Sequence, residues 1–207
     1  MTPGVRQYVI RFAASDSSAV PWTVLRPGLC MQKRKCWLYL ILCLFPGLVA
    51  AAEIATPGGT IAVSLPADFT PLSAAEMKIK FGRNGALPVA AYGNAKRSGT
   101  VAVSWSPLGE TTLTPDQLPQ LMDSFRDAMS QQVPGLHWIS SEVRIINGKR
   151  WIFMENIAPG RDTPVHDDMY LTDLKGNLLA INFNITEAEH AAFATEFKSI
   201  EKSLKVK

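Results

Sequence analysis

Cysteine is missing from most of this 207-residue chain. Cys30, Cys36 and Cys43 are the three cysteines, so residues 53–207 contain none. That long segment therefore cannot form a disulfide, whichever compartment it occupies. Its stability must come from a packed hydrophobic core, and a segment of about 155 residues is long enough for one domain with such a core.

A strong positive charge is also missing from residues 53–207. Six basic residues and one acidic residue lie in residues 1–52, so the formal net charge of +3 for the whole chain becomes −2 for the remainder. A mildly acidic segment with mixed charges lacks the basic stripe that binds nucleic acid. We therefore expect no nucleic-acid partner.

The common catalytic signatures are absent as well. The sequence contains no G-x-S-x-G nucleophile elbow. Pro57-Gly58-Gly59 lacks the lysine and the glycine spacing of a phosphate-binding loop. We therefore assign no catalytic residue, no metal ligand and no cofactor, and the motifs favour a protein without enzymatic activity.

The longest apolar run lies near the start of the chain. A basic group, Lys33-Arg34-Lys35, precedes an unbroken apolar stretch over residues 36–45, and Pro46-Gly47 ends it. A basic segment followed by an apolar stretch of this length is typical of a secretory signal peptide. A membrane-spanning helix needs about 20 apolar residues, so the length disfavours the alternative of an uncleaved anchor.

Small residues mark the expected cleavage site. Signal peptidase accepts small side chains at positions −3 and −1, which are Ala50 and Ala52 here, so the mature chain is predicted to begin at Glu53. We interpret residues 31–52 as the signal peptide and residues 1–30 as a non-native upstream extension. The protein is then periplasmic or secreted, and it meets the membrane only during export.

Residues 53–207 contain both helix and strand patterns. Ser73 and Glu76 form a capping box before a short helix, and a second helix presents apolar residues at three- and four-residue spacing between Leu118 and Met129. A last helix is predicted over residues 187–204. The predicted strands are residues 60–65, 88–92, 100–105, 137–146, 150–157, 165–171 and 178–185.

Tight turns join the last four predicted strands. Asn147-Gly148 and Lys175-Gly176 each separate two alternating runs, and Asn-Gly is the strongest short signal for a β-hairpin. Consecutive hairpins require an antiparallel sheet. We therefore predict an α+β fold in a single domain over residues 53–207. It consists of an antiparallel sheet of about six to seven strands flanked by helices, an α/β/α-like sandwich.

Side chains that can act as ligands concentrate in one place. His166 and Asp168 share one face of a predicted strand, Asp167 points to the other face, and Glu155 lies on the preceding strand. A histidine with carboxylates can hold a divalent metal ion or act as an acid–base pair. Adjacent carboxylates at the start of a strand are more typical of a solvated surface. The other two histidines of the chain lie in different predicted elements.

Tryptophans supply a second set of candidates. Trp151 lies on a strand face with another aromatic residue, which is typical of a core. Trp105 and Trp138 are candidate anchors for a partner if they are exposed, because tryptophan is enriched at binding hot spots. Together with His166 and Asp168, they are the predicted binding residues.

Three short motifs resemble one known family. They are Ser64-Leu65-Pro66-Ala67-Asp68-Phe69, the hairpin Ile145–Trp151, and the closing segment Phe197–Leu204. They are similar to the SLP-x-GF opening, the central hairpin and the last helix of the PsbP-like superfamily, which includes the DcrB-type bacterial proteins. Asp68 stands where that family has glycine. The resemblance covers most of residues 60–207, and it implies an antiparallel sheet between helices and a protein-binding or accessory role without catalysis.

These patterns together predict an exported accessory protein that recognises another protein or peptide in the cell envelope. Two alternatives stay open. One is a metal-dependent or acid–base enzyme that uses His166, Asp168 and Glu155. The other is a carrier of a small apolar ligand, which requires a cavity between sheet and helix.

Overall fold

The computed structural model describes residues 49–82, 86–160 and 162–207. The predicted extension and most of the predicted signal peptide lie outside the described residues. The helices are α1 (Ala74–Phe81), α2 (Leu118–Gln132) and α3 (Glu187–Ser203). The strands are β1 (Val49–Thr56), β2 (Gly59–Pro66), β3 (Thr70–Pro71), β4 (Ala90–Gly93), β5 (Gly99–Ser106), β6 (His137–Ile146), β7 (Lys149–Ala158), β8 (Val165–Leu174), β9 (Asn177–Thr186) and β10 (Lys205–Val206).

Seven of these strands form a central antiparallel sheet in the order β3-β4-β5-β9-β8-β7-β6, and the other three form a smaller sheet in the order β1-β2-β10. Helices α1 and α2 pack on one side of the central sheet, which we call the α2 face. Helix α3 and the small sheet pack on the other side, the α3 face. The prediction of an α+β fold with an antiparallel sheet between helices is confirmed. The prediction of a single sheet is wrong in one respect, because the predicted strand over residues 60–65 forms β2 of the small sheet and does not join the central sheet.

The predicted hairpin turns are present with the expected backbone. Asn147 and Gly148 both have positive φ, at 47° and 80°, and Lys175 and Gly176 have φ of 50° and 77°. Positive φ at both central residues defines the two-residue turn whose twist matches that of paired strands. These turns fix the register of β6 with β7 and of β8 with β9.

Helix α1 begins where its capping box predicts. The Glu76 carboxylate accepts a hydrogen bond from the Ser73 amide at 2.7 Å, and the Ser73 hydroxyl accepts one from the Glu76 amide at 3.2 Å. The second helix starts at Leu118, because residues Pro115–Gln117 form a short 3-10 turn before it. Among the described residues, none of the helices has the length and apolar character needed to cross a bilayer.

Strand β1 contains the predicted cleavage junction between Ala52 and Glu53. It pairs with β2 along its whole length, from Val49 opposite Pro66 to Thr56 opposite Gly59. The half of β1 that follows the junction carries its own contacts to the domain. Ile54 is buried in the core, and Glu53 forms an ion pair with Lys207. Cleavage before Glu53 would therefore leave that half of β1 attached to the domain.

Candidate functional site

Two strands and one helix bring four side chains together on the α3 face. Glu155 of β7 lies opposite Asp168 of β8 in the sheet register, and His166 is two residues away on the same face of β8. Strand β9 leads directly into α3, which places His190 one turn into that helix. His166, Asp168 and Glu155 therefore lie together, as the alternative hypothesis of an enzyme requires, and His166 and Asp168 are buried rather than solvated.

His166 is the centre of this cluster. It is only 3% exposed, and its Nε2 lies 2.9 Å from Glu155 Oε1 while its Nδ1 lies 3.0 Å from Glu187 Oε2. Asp168 Oδ1 is 3.7 Å from the same Nε2. The His190 ring stacks on the His166 ring, with centroids 3.4 Å apart and planes 8° apart. One imidazole thus meets three carboxylates and a second imidazole.

Burial changes the proton affinity of the two groups that line this cluster. The pKa of Asp168 is raised to about 7, mainly by burial and next by the nearby charge of Glu155, while His166 and Arg144 oppose the shift. Burial also lowers the pKa of His190, with a second contribution from His166. Asp168 Oδ1 is buried and has no hydrogen-bond partner among the described residues. A buried carboxylate oxygen without a partner is unusual in a native fold.

The sequence pattern did not predict the contact between His166 and His190, because they are 24 positions apart and strand β9 lies between their two elements. A signal was nevertheless present. His190 precedes Phe193 by three positions and Phe197 by seven, which places all three on one stripe of the predicted helix. Phe197 is buried against the sheet, so this stripe is the one that faces the cluster.

Asp167 points to the α2 face, as the strand alternation predicts. It accepts hydrogen bonds from Asn182 and Asn184, and Lys80 of α1 lies close to it and also donates a hydrogen bond to Thr100. Burial raises the pKa of Asp167 to about 7, with the Asp168 charge next, and the Lys80 ammonium opposes this shift. Burial lowers the pKa of Lys80 to about 8. The two faces of β8 therefore carry separate polar clusters.

The two candidate tryptophans do not share a surface. Trp105 is half-buried against the core of the α3 face, and none of the described residues forms a hydrogen bond with its buried indole Nε1. Trp138 is half-buried on the α2 face, where its Nε1 donates a 2.9 Å hydrogen bond to Ser130 Oγ of α2. Trp138 thus links β6 to α2, and neither indole stands free in solvent.

Strand β6 is a long edge of the central sheet. Within the described residues, β7 is its only strand neighbour. Val143 and Ile145 project from the same face of β6 and are 36% and 75% exposed, and Ile139 is 47% exposed beside a break in register between Trp138 and Ser140. An exposed edge with apolar side chains can pair with another strand. We call the segment His137–Ile146 with these three side chains the β6 edge.

Comparison with solved structures identifies the fold. The solution structure of cyanobacterial PsbP (CyanoP) from Synechocystis sp. PCC 6803 superposes with a TM-score of 0.52 and 20% sequence identity, over 81% of this chain and 99% of that one. The chain has a PsbP-like fold. The resemblance indicated by the three sequence motifs is therefore confirmed at the level of the fold.

Two other solved structures are similar at lower scores. LpqN of Mycobacterium tuberculosis, described as involved in cell envelope biogenesis, has a TM-score of 0.49 and 13% identity over 76% of this chain and 91% of its own. The Saccharomyces cerevisiae Ran-binding protein Mog1p has a TM-score of 0.45 and 11% identity over 77% of this chain and 96% of its own. No protein-family model matches the sequence, and no curated protein is similar to it.

Proposed function

We propose that this PsbP-like chain is exported and acts without catalysis in the cell envelope, where it binds an extended segment of another envelope protein along the β6 edge. Export is supported by the signal-peptide pattern over residues 31–52. A binding or accessory role is the one that the sequence resemblance implies. The observation that carries the proposal is the exposed apolar β6 edge.

The β6 edge has the two properties that strand addition requires. Its outer side offers backbone hydrogen-bond groups that no described strand occupies, and main-chain hydrogen bonds supply affinity when an extended peptide joins a sheet. Val143 and Ile145 are two positions apart, so they meet alternate side chains of an added strand. The partner segment is therefore extended and apolar at alternate positions.

Charged residues on β6 limit which strands can join it. Glu142 and Arg144 lie between the exposed apolar residues, and Arg144 pairs with Glu142 at 2.7 Å and with Glu201 of α3 at 3.1 Å. Charges and bulges on edge strands prevent indiscriminate pairing. This combination favours one selected partner over self-association.

His166 itself argues against acid–base catalysis. Both ring nitrogens already face carboxylate oxygens at about hydrogen-bond distance, and only 3% of the residue is exposed. A general acid or base must reach a substrate proton directly or through one water. The cluster is therefore better suited to holding elements together than to proton transfer with a substrate.

Site-specific crosslinking tests the β6 edge. A photo-crosslinking residue is placed at position 143 of the full-length chain, in cells that produce the protein naturally, and the adduct is identified by mass spectrometry. We expect one envelope protein to be captured. Ile145→Asp is expected to reduce that adduct at least about tenfold, because a buried carboxylate would stand where an apolar contact is needed.

Ile79→Asp is the matched control, because Ile79 is 68% exposed on α1, away from β6. This variant is expected to leave the adduct unchanged. The proposal is wrong if both variants reduce the adduct equally, if Ile145→Asp has no effect, or if no envelope protein is captured.

A further inference from the structure

We propose that Glu155, His166, Asp168 and His190 form a binding site for a divalent transition-metal ion, with Zn²⁺ the best fit. The proposal is independent of the β6 edge. It differs from the expectation from sequence, which assigned no metal ligand, because the fold adds a second histidine to the cluster. Two imidazole nitrogens with carboxylate oxygens form a donor set that zinc commonly accepts.

The spacing of the donor atoms suits one small ion. One ligand atom from each of Glu155, His166 and His190 lies within 4.8 Å of the other two. Zinc bonds to nitrogen and oxygen are about 2.0–2.2 Å long, so ligand atoms around a tetrahedral ion are about 3.4 Å apart. The 2.9 Å between His166 Nε2 and Glu155 Oε1 needs to widen only slightly to admit the ion. The His190 ring must also turn out of its stack on His166 when the ion binds, because the nitrogen lone pairs of two parallel rings lie in separate planes.

Asp168 gives a second, independent reason to expect a ligand. The residue is 8% exposed, and within the described part of the chain its buried Oδ1 has no hydrogen-bond partner. That oxygen is 3.7 Å from His166 Nε2, which is too far for a hydrogen bond but suits two atoms bound to the same ion. A cation between them would satisfy an oxygen that the protein leaves without a partner.

Glu187 contacts the His166 ring at Nδ1, the nitrogen that does not face Glu155. Its Oε2 lies 3.0 Å from His166 Nδ1. In the zinc-bound form Nδ1–H would donate a hydrogen bond to this oxygen, and the Nε2 lone pair would be directed at the ion between Glu155 and Asp168. Metal-binding histidines characteristically donate their other ring proton to a carboxylate, which fixes the ring and raises its basicity. Glu187 is therefore a positioning residue for this site.

The charges around His166 favour a cation. Among the described residues, the carboxylates of Glu155, Asp168 and Glu187 form ion-pair contacts only with His166. Arg144, whose charge acts on Asp168, pairs with Glu142 and Glu201 instead. A divalent ion would offset this concentration of negative charge and would tie β7 and β8 to the first turn of α3.

Zinc titration tests the site directly. The full-length protein is stripped with a chelator and titrated with Zn²⁺ by calorimetry, and we expect one ion per chain. His190→Ala is expected to weaken zinc binding at least about 30-fold, and Glu187→Gln about 10- to 100-fold, the usual effect of losing an outer-sphere carboxylate. His137→Ala is the matched control, because His137 is an exposed histidine on β6.

X-ray absorption on the unmodified zinc-loaded protein gives a second readout that needs no variant. We expect nitrogen and oxygen ligands only, with the outer scattering of two imidazoles. The proposal is overturned if no zinc binds, if His137→Ala weakens binding as much as His190→Ala, or if the spectrum shows fewer than two imidazoles.

Discussion

Replacing Phe197 with alanine is expected to lower the free energy of unfolding by about 3–5 kcal/mol, the usual range for removing a buried phenylalanine. Phe197 is 3% exposed on α3. Its ring contacts Phe183 of β9 with centroids 6.0 Å apart and His190 of the same helix at 6.1 Å. The alanine variant therefore leaves a cavity between α3 and the sheet, directly beside the His166 cluster. Denaturant unfolding of the two purified proteins measures the difference.

Phe193→Ala is the matched control for this prediction. Phe193 lies on the same helix one turn earlier and is half-buried, with its ring 6.3 Å from that of Phe69. Its loss removes less apolar area from the core, so we expect a decrease of about 1–2 kcal/mol. Equal effects of the two substitutions would contradict the described packing of α3.

Asp167→Asn is expected to change how stability depends on pH. The pKa of Asp167 is about 7 in the folded protein, against an ordinary value of 3.8, because the group is buried and close to Asp168. The folded state therefore holds a proton that the unfolded state releases between about pH 4 and pH 7, and stability falls as the pH rises through that range. Asparagine cannot ionise, so the variant does not lose stability through this group as the pH rises.

The variant should therefore gain on the order of 2 kcal/mol relative to the wild-type protein between pH 4 and pH 8. The expected gain follows from about 1.4 kcal/mol for each pKa unit by which the folded and unfolded states differ, reduced because the Asp167 side chain is partly exposed to solvent. Lys80 loses a neighbouring anion in the variant, so its pKa, which burial has already lowered to about 8, falls further. Asp127→Asn, an exposed change on α2, is the control and should leave the pH dependence unchanged. Parallel wild-type and Asp167→Asn curves would contradict the raised pKa of this half-buried carboxyl.

Local signals predicted most of the central sheet. The Asn147-Gly148 and Lys175-Gly176 turns fix their hairpins through backbone conformations that few residues adopt readily, so register follows from neighbours in sequence. The small sheet could not be predicted in this way. Strand β10 has two residues and pairs with β2 across most of the chain, and β1 overlaps a segment that matches a signal peptide.

The candidate site was also predictable only in part, because some of its contacts join residues that are far apart in sequence. Strand alternation correctly placed His166 and Asp168 on one face and Asp167 on the other. The contribution of α3 depends on how a helix packs on a sheet, and sequence spacing does not report that distance. The stripe that joins His190 to Phe197 indicated which side of α3 is buried, but it could not show that His190 stacks on His166.

We propose that the chain is exported and acts as a processed envelope protein, and N-terminal sequencing of the protein isolated from the envelope or the medium tests this proposal. We expect Glu53 to be the first residue, and we expect Ala52→Leu to prevent cleavage, because signal peptidase requires a small side chain at position −1. A cytoplasmic protein that keeps Met1 or Met31 as its first residue would show that the proposal is wrong.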